Sequence, residues 1–295
     1  MPLRLATRGS PLARWQAEHV AGLLGGDAEL VIVDTAGDRR QDRPLWEIGG
    51  QGVFVKEVQA AVLDGRADAA VHSAKDLPSL SPDGLTIAAV PARADPRDVL
   101  VGTCLADLAP GAPVATGSVR RRAQLAWLRP DLTFPGLRGN IATRLSRIPA
   151  GGAVVMAAAA LDRLGLTPEV VDVLDPDVML PQVGQGAIAV EAGTGDQATR
   201  ARLAAVDDPA AHAALLAERA FLARLGGGCD LPAGAFTVVD PGGRMTVRAV
   251  LASLDGRVLL RSARTGTDGP AMGAALAEEL LAAGGRALQN DGAAG

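Results

Sequence analysis

Arginine recurs where apolar strands should run into helices, each time beside a glycine or a small polar residue. The first such junction ends a strand at Thr7-Arg8 and continues through Gly9-Ser10-Pro11 into the helical spacing of Leu12–Leu24. The second runs from Val114 through Thr116-Gly117-Ser118 to Arg120-Arg121-Arg122, and the third from Phe134 to Arg138-Gly139-Asn140, with Arg144 in the helical pattern that follows. A helix N-terminus offers unpaired N–H groups and the positive end of a dipole, so it attracts anions. Arginine adds a planar fork matched to carboxylate or phosphate. In open α/β sheets such junctions lie at the carboxyl edge, where ligands bind. The chemistry indicated is the binding of a small polyanion by several arginines.

One carboxylate interrupts this cationic pattern. The run His72-Ser73-Ala74-Lys75-Asp76-Leu77-Pro78 follows the apolar strand Ala67–Val71, so it also sits at a strand's carboxyl end. A carboxylate inside an anion-binding cleft opposes ligand affinity, but it suits a ligand on which positive charge develops during reaction. Cys229 follows three glycines that open the backbone around its thiol, whereas Cys104, within Val99–Leu105, reads as a core residue. With an unperturbed thiol, about 3% is thiolate at neutral pH, enough for a single slow covalent attachment.

These residues need α/β elements to position them. Residues 1–91 alternate strands and helices, which implies a largely parallel sheet covered on both faces. Ser10 followed by Pro11 is a helix start with a mechanism, a side-chain cap and then a residue with no N–H to satisfy. Breaks at 92–98 and at Pro181–Gly186 flank a second α/β set with strands near Val114, Leu132 and Val154, the pattern of a chain that crosses to another lobe and returns. After a helix at His212–Leu225, alternating runs at Gly234–Val239, Arg244–Leu251 and Arg257–Ser262 indicate an antiparallel sheet covered by helix Ala271–Ala282. The expected domains are 1–91 with 187–207, 98–181, and 212–295.

Composition limits what the ligand can be. The chain has 295 residues, 48% of them apolar, enough for proper cores. A net charge of −4 and 2% aromatic residues argue against nucleic acid and anionic membrane surfaces as partners. The most apolar stretch, Ala153–Leu161, is too short to cross a bilayer. The three histidines are scattered and there is no CxxC, so no metal site is expected. The N-terminus lacks the regions of a signal peptide, and the reading is a cytoplasmic protein with reduced thiols.

The assembled motifs resemble the porphobilinogen deaminase family (hydroxymethylbilane synthases). The likeness runs in order from Leu5 to Pro232, through Ala6–Ala13, Phe54–Glu57, Val71–Pro78, Asp95–Asp98, Thr116–Arg121, Leu137–Arg144, Asp162–Gly165, Pro181–Gly186 and Gly227–Pro232. Beyond Pro232 it is weak. The resemblance implies two doubly wound lobes like those of periplasmic binding proteins, plus a small α+β third domain. It also implies a dipyrromethane cofactor linked by a thioether to Cys229, on which four porphobilinogens are joined head to tail with loss of ammonia.

By position, the resemblance implies catalytic roles for Asp76, Arg8 and Arg121. Cofactor contacts would come from Ser10, Ser73, Lys75, Thr116, Ser118, Arg120, Arg121, Arg138, Gly139 and Asn140. Substrate contacts would come from Arg8, Arg138, Arg144, Arg163, Phe54 and Gln185, and the protein would act as a monomer. Each pyrrole carries two carboxylates, which accounts for the arginines, and the condensation generates cations, which accounts for Asp76. The chain departs from the family at Gln51, where lysine is frequent, and at Glu47, a position that can be basic. Either that contact is dispensable or its ligand group is held by a neighbour such as Lys56. A dicarboxylate-binding module and an arginine-rich RNA binder are the alternative readings. The missing signal peptide and the cysteine loop count against the first, the acidic balance and scarce aromatics against the second.

Overall fold

The computed structural model describes residues 1–35, 52, 55–226 and 231–291. The chain divides into two compact units, Met1–Ala94 with Ala187–Ala213, and Asp95–Gly186 with Ala214–Gly295. In chain order the first unit begins with β1 (Leu3–Arg8), α1 (Pro11–Leu23), β2 (Ala28–Val33), α2 (Lys56–Leu63), β3 (Ala69–Ser73) and β4 (Leu85–Ala89). The second contains β5 (Asp98–Val101), β6 (Val114–Ala115), α3 (Val119–Leu128), α4 (Ile141–Leu145), β7 (Ala153–Ala157), α5 (Ala158–Arg163) and β8 (Val171–Val173). The chain returns to the first unit with β9 (Ile188–Gly193) and α6 (Gln197–Leu203), and α7 follows at Pro209–Leu225. Strands β10 (Ala233–Val239), β11 (Met245–Ala252) and β12 (Leu259–Gly266), then α8 (Gly269–Leu280) and α9 (Arg286–Asp291), complete it.

The first sheet has the order β2-β1-β3-β9-β4. Alternation along β1 sends Leu3 and Leu5 to a core with Val20 of α1 and Leu203 of α6, and Ala6 to a second core with Val58 and Ala61 of α2. Helices therefore cover both faces, as expected. The pairing is less parallel than expected. Strand β1 runs parallel to β2 and β3, but β9 pairs antiparallel with both β3 and β4. A strand that re-enters after the long excursion through the second unit is not bound by the βαβ crossover that makes neighbours parallel.

The second unit repeats the theme in a sheet of order β6-β7-β5-β8, with only β6 and β7 parallel. The strand expected near Leu132 is reduced to a single bridge between Thr133 and Pro113. The antiparallel sheet β10-β11-β12 forms with shifted boundaries, and Val247 and Ala249 pack against Phe221 of α7 and Leu276 of α8. Past α8 the chain kinks at Gly284, where φ is +117°, and a separate short helix, α9, carries it to Asp291, beyond the end expected at Ala282. Among the described residues no helix is long and apolar enough to cross a membrane.

Candidate functional site in the two α/β units

In the first unit, β1 ends at Arg8, and the Ser10 side chain caps α1 by accepting from the Ala13 N–H at 3.3 Å. Strand β3 ends at Ser73, and a short 3-10 turn over Ala74–Asp76 carries Lys75 and Asp76 beyond the sheet. A cleft opens where these ends meet, lined by Arg8, Ser10, Gln16, His72, Ser73 and Asp76 among others. Arg8, Ser10, Ser73, Lys75 and Asp76 are half-buried. A cation, hydroxyl groups and one carboxylate thus share a single cavity. Arrangements of this kind can hold an anionic substituent while leaving a carboxylate for a developing cation.

Gln16 is a residue the sequence reading missed. It is 2% exposed and lines the cleft, yet its Nε2 has no hydrogen-bond partner among the described residues. A buried amide donor left unpaired is costly, and a ligand acceptor in the cleft would satisfy it. The signal was available: Gln16 falls among Ala13, Ala17 and Val20 on the helical face otherwise occupied by apolar side chains.

In the second unit, Ser118 caps α3 by accepting from the Arg121 N–H, and Thr116 Oγ1 accepts from the Ser118 N–H at 3.1 Å. Gly117 is obligatory here, since an added Cβ would stand 2.6 Å from the Leu137 carbonyl oxygen. The arginines turn inward. Arg121 Nε donates to Asp98 Oδ1 at 3.0 Å, its Nη1 donates to the Val155 carbonyl at 3.0 Å, and its Nη2 lies 2.8 Å from Asp98 Oδ1. Arg120 Nη1 donates to the Leu180 carbonyl at 2.6 Å and stands 2.8 Å from Asp98 Oδ2. Gln185 Nε2 donates to Asp98 Oδ1 at 2.9 Å and to the Pro96 carbonyl at 2.7 Å. Arg120, Arg121, Gln185 and Asp98 are all buried.

Burial alone would raise the Asp98 carboxyl, but Arg120 and Arg121, with hydrogen bonds from Arg120 and Gln185, hold it down at about 2. One carboxylate balances two guanidinium groups, so the cluster keeps a surplus positive charge. Arg120 Nε and Nη2 are buried and have no hydrogen-bond partner among the described residues. Arg121, expected to act on the ligand, has all three of its nitrogens engaged inside the protein. Asp98 was not singled out from sequence, because its partners lie 23 and 87 residues away.

The third junction forms without its strand. Asn140 caps the five-residue α4 by accepting from the Thr143 N–H at 2.9 Å, and Gly139 adopts φ +112°, a conformation suited to glycine. Arg138 and Arg144 are half-buried at this corner, and Arg144 Nε donates to the Gly139 carbonyl at 2.9 Å. Arg163, at the end of α5, is buried, and its Nη2 donates to the Gly186 carbonyl at 2.7 Å. Burial lowers its guanidinium to about 10, against an opposing contribution from Asp162.

Cys104 is half-buried at the start of a 3-10 turn, not a core residue. Desolvation and the carboxylates of Asp172 and Asp107 raise its thiol, which disfavours the reactive thiolate. Cys229, Phe54, Gln51 and Glu47 lie outside the described residues. Among the described residues no group of three or more His, Cys, Asp or Glu side chains is placed to hold a metal ion.

Comparison with known proteins agrees with the motifs. Residues 3–201 match the family description "Porphobilinogen deaminase, dipyromethane cofactor binding domain", and residues 212–282 match "Porphobilinogen deaminase, C-terminal domain". A porphobilinogen deaminase of Roseiflexus castenholzii is 49% identical over 298 residues, covering 97% of this chain and 98% of that one. One from Acidothermus cellulolyticus is 49% identical over 296 residues, covering 96% and 89%. Among solved structures the likeness is loose. An ancestral cationic amino acid solute binding protein aligns at 13% identity and a TM-score of 0.42, over 70% of this chain and 88% of that one. With both family descriptions matched and relatives near one-half identity along almost its whole length, this chain belongs to the porphobilinogen deaminase family.

Proposed function

We propose that this chain deaminates porphobilinogen and joins four molecules head to tail into the linear tetrapyrrole hydroxymethylbilane, on a dipyrromethane primer held by a thioether to Cys229. The observation that carries the reading is the cleft in which Asp76 shares a cavity with Arg8, Ser10 and Ser73. The donor set suits the primer. Buried N–H groups of Gln16 and Arg120 have no hydrogen-bond partner among the described residues, and the surplus charge beside Asp98 matches the carboxylates that each pyrrole carries. When bound, the primer supplies the pyrrole carbon to which the first substrate is joined.

The chain's own residues then have distinct tasks. Asp76 accepts hydrogen bonds from pyrrole N–H groups and stabilises the positive charge that develops as ammonia leaves. Because that charge exists mainly in the transition state, the interaction lowers the barrier more than it improves binding. Arg8, Arg138, Arg144 and Arg163 hold acetate and propionate groups, with Phe54 completing the substrate contacts, while Gln185, buried with its amide committed to Asp98 and the Pro96 carbonyl, supports the site from within. Ser10, Ser73, Lys75, Thr116, Ser118, Arg120, Gly139 and Asn140 hold the primer. Arg121, through Asp98, fixes the direction of the α3 junction while sharing the cluster's charge. Each addition breaks the substrate's aminomethyl carbon–nitrogen bond, forms one carbon–carbon bond in place of a pyrrole C–H and releases one ammonia, and water supplies the hydroxyl of the released hydroxymethylbilane. The reading places the enzyme in the cytoplasm as a monomer with porphobilinogen as its small-molecule partner.

Intact mass and absorbance of the purified protein test this. The wild type and Cys104→Ala should carry a covalent pyrrolic adduct, and Cys229→Ala should not. A full adduct on Cys229→Ala would end the attachment proposal, and a dicarboxylate-binding module would show no adduct in any variant.

A further inference from the structure

Beneath the cleft of the first unit lies a charged group that the reaction as described does not use. Glu191, on the inner strand β9, is fully buried, in a run where Ile188, Ala189, Val190 and Ala192 are buried as well. It receives three neighbours from three directions. Gln59 Nε2 of α2 donates to Glu191 Oε2 at 2.7 Å, and Ser81 Oγ donates to Oε1 at 2.9 Å. His72 Nε2, on β3, lies 3.3 Å from Oε2. The sheet register sets this last contact, since Glu191 pairs with Ala70 and Ala189 with His72, making Glu191 and His72 diagonal neighbours on one face. Burial works against the Glu191 charge, but His72, Gln59 and Ser81 together hold its carboxyl below the usual range.

His72 and Ser81 bracket the segment that carries Ser73, Lys75 and Asp76, and His72 itself lines the cleft. We infer that Glu191 is a positioning residue for the condensation: by gripping His72 before the 3-10 turn and Ser81 after it, Glu191 fixes where Asp76 stands on the cleft wall. This rests on the proposed role of Asp76. Glu191 is sealed from the cleft and acts through its neighbours, so its loss should displace the catalytic carboxylate without removing any ligand contact.

The test compares variants of equal structural cost. Ser81→Ala removes one hydrogen bond to Glu191 from a half-buried side chain. Asp196→Ala removes the cap that accepts from Thr199 N–H at 3.0 Å in the same unit, far along the chain from the bracketed segment. Thermal midpoint, adduct content by intact mass, kcat and KM for porphobilinogen, and the ladder of enzyme-bound intermediates are read for each. Ser81→Ala should lower kcat per adduct-bearing chain about tenfold, and Glu191→Gln about a hundredfold, the range produced by small misplacements of reacting groups. In both, KM should change less than kcat, and intermediates should accumulate. Asp196→Ala should match Ser81→Ala in midpoint yet keep the wild-type kcat and intermediate ladder. If Ser81→Ala and Asp196→Ala turn over alike, the positioning role is overturned, whether or not Glu191→Gln folds. A wild type without adduct or turnover would instead overturn the functional reading itself.

Discussion

The cationic junctions of the two units look alike in sequence and are used differently in the structure. In the first, Arg8, Ser10, Ser73 and Asp76 are half-buried around a cleft, and the buried charge of Glu191 lies behind them. In the second, Arg120 and Arg121 are themselves the buried charges, held by Asp98 before any ligand arrives. Similar strand–turn–helix geometry therefore yields one site whose groups face solvent and one whose groups are preorganised inside the protein. Preorganisation lets a fixed array of charges act on a ligand without reorganising, but it makes the array part of the fold's stability.

That contrast predicts opposite phenotypes. Asp98→Asn leaves two buried guanidinium groups without their counter-ion, and should destabilise the second unit by about 3–5 kcal/mol, measured by urea unfolding. The wild type should show the same dependence on pH. Because Asp98 is depressed from 3.8 to about 2 on folding, its contribution is fully present above the ordinary carboxylate value and disappears as pH falls through about 2. Urea midpoints should thus drop on acidification from about pH 4 in the wild type, with the Asp98 component missing from Asp98→Asn. An unchanged midpoint in this variant would remove the distinction between the units.

Asp76→Asn should do the reverse. It keeps the shape of a half-buried side chain, so the unfolding midpoint should hold. Turnover should fall roughly a hundredfold or more, as when other electrostatic stabilisers are removed. Stepwise mass increments above the adduct-bearing protein should show intermediates accumulating. Near-normal turnover, with the adduct verified, would rule out Asp76 as the catalytic carboxylate.

The smallest effect should come from an arginine outside both clusters. Arg264 on β12 pairs with Glu279 at 3.1 Å on an open surface. Surface pairs of this kind contribute about 0–1 kcal/mol, so Arg264→Leu should leave both turnover and midpoint close to wild type. A loss as large as that of Asp76→Asn would place functional chemistry in the third sheet.

What could be read from sequence followed the range of the interactions. The Ser10-Pro11 start of α1 was legible, and the strands expected to end at Thr7 and Val71 run on only to Arg8 and Ser73, because caps, apolar runs and breakers act within a few residues. Asp98 was visible only as part of a motif, since nothing local announces that it will meet Arg121 and Gln185. The strand near Leu132 failed because Pro135 and Gly136 follow at once, and only the Pro113–Thr133 bridge forms. The antiparallel course of β9 was hidden for the same reason as Asp98, its neighbours in the sheet being about a hundred residues earlier in the chain.

The place of β9 also bears on how the chain is made. Strands β3 and β4 are separated by only a short loop, but β9 lies between them, so the sheet cannot close until residue 193 has left the ribosome. During synthesis of the intervening second unit, both strands present open edges, the form in which nascent chains are most prone to mispair. Glu191 arrives on that same closing strand. The last strand to enter the sheet during translation thus brings the carboxylate that grips the segment carrying Asp76.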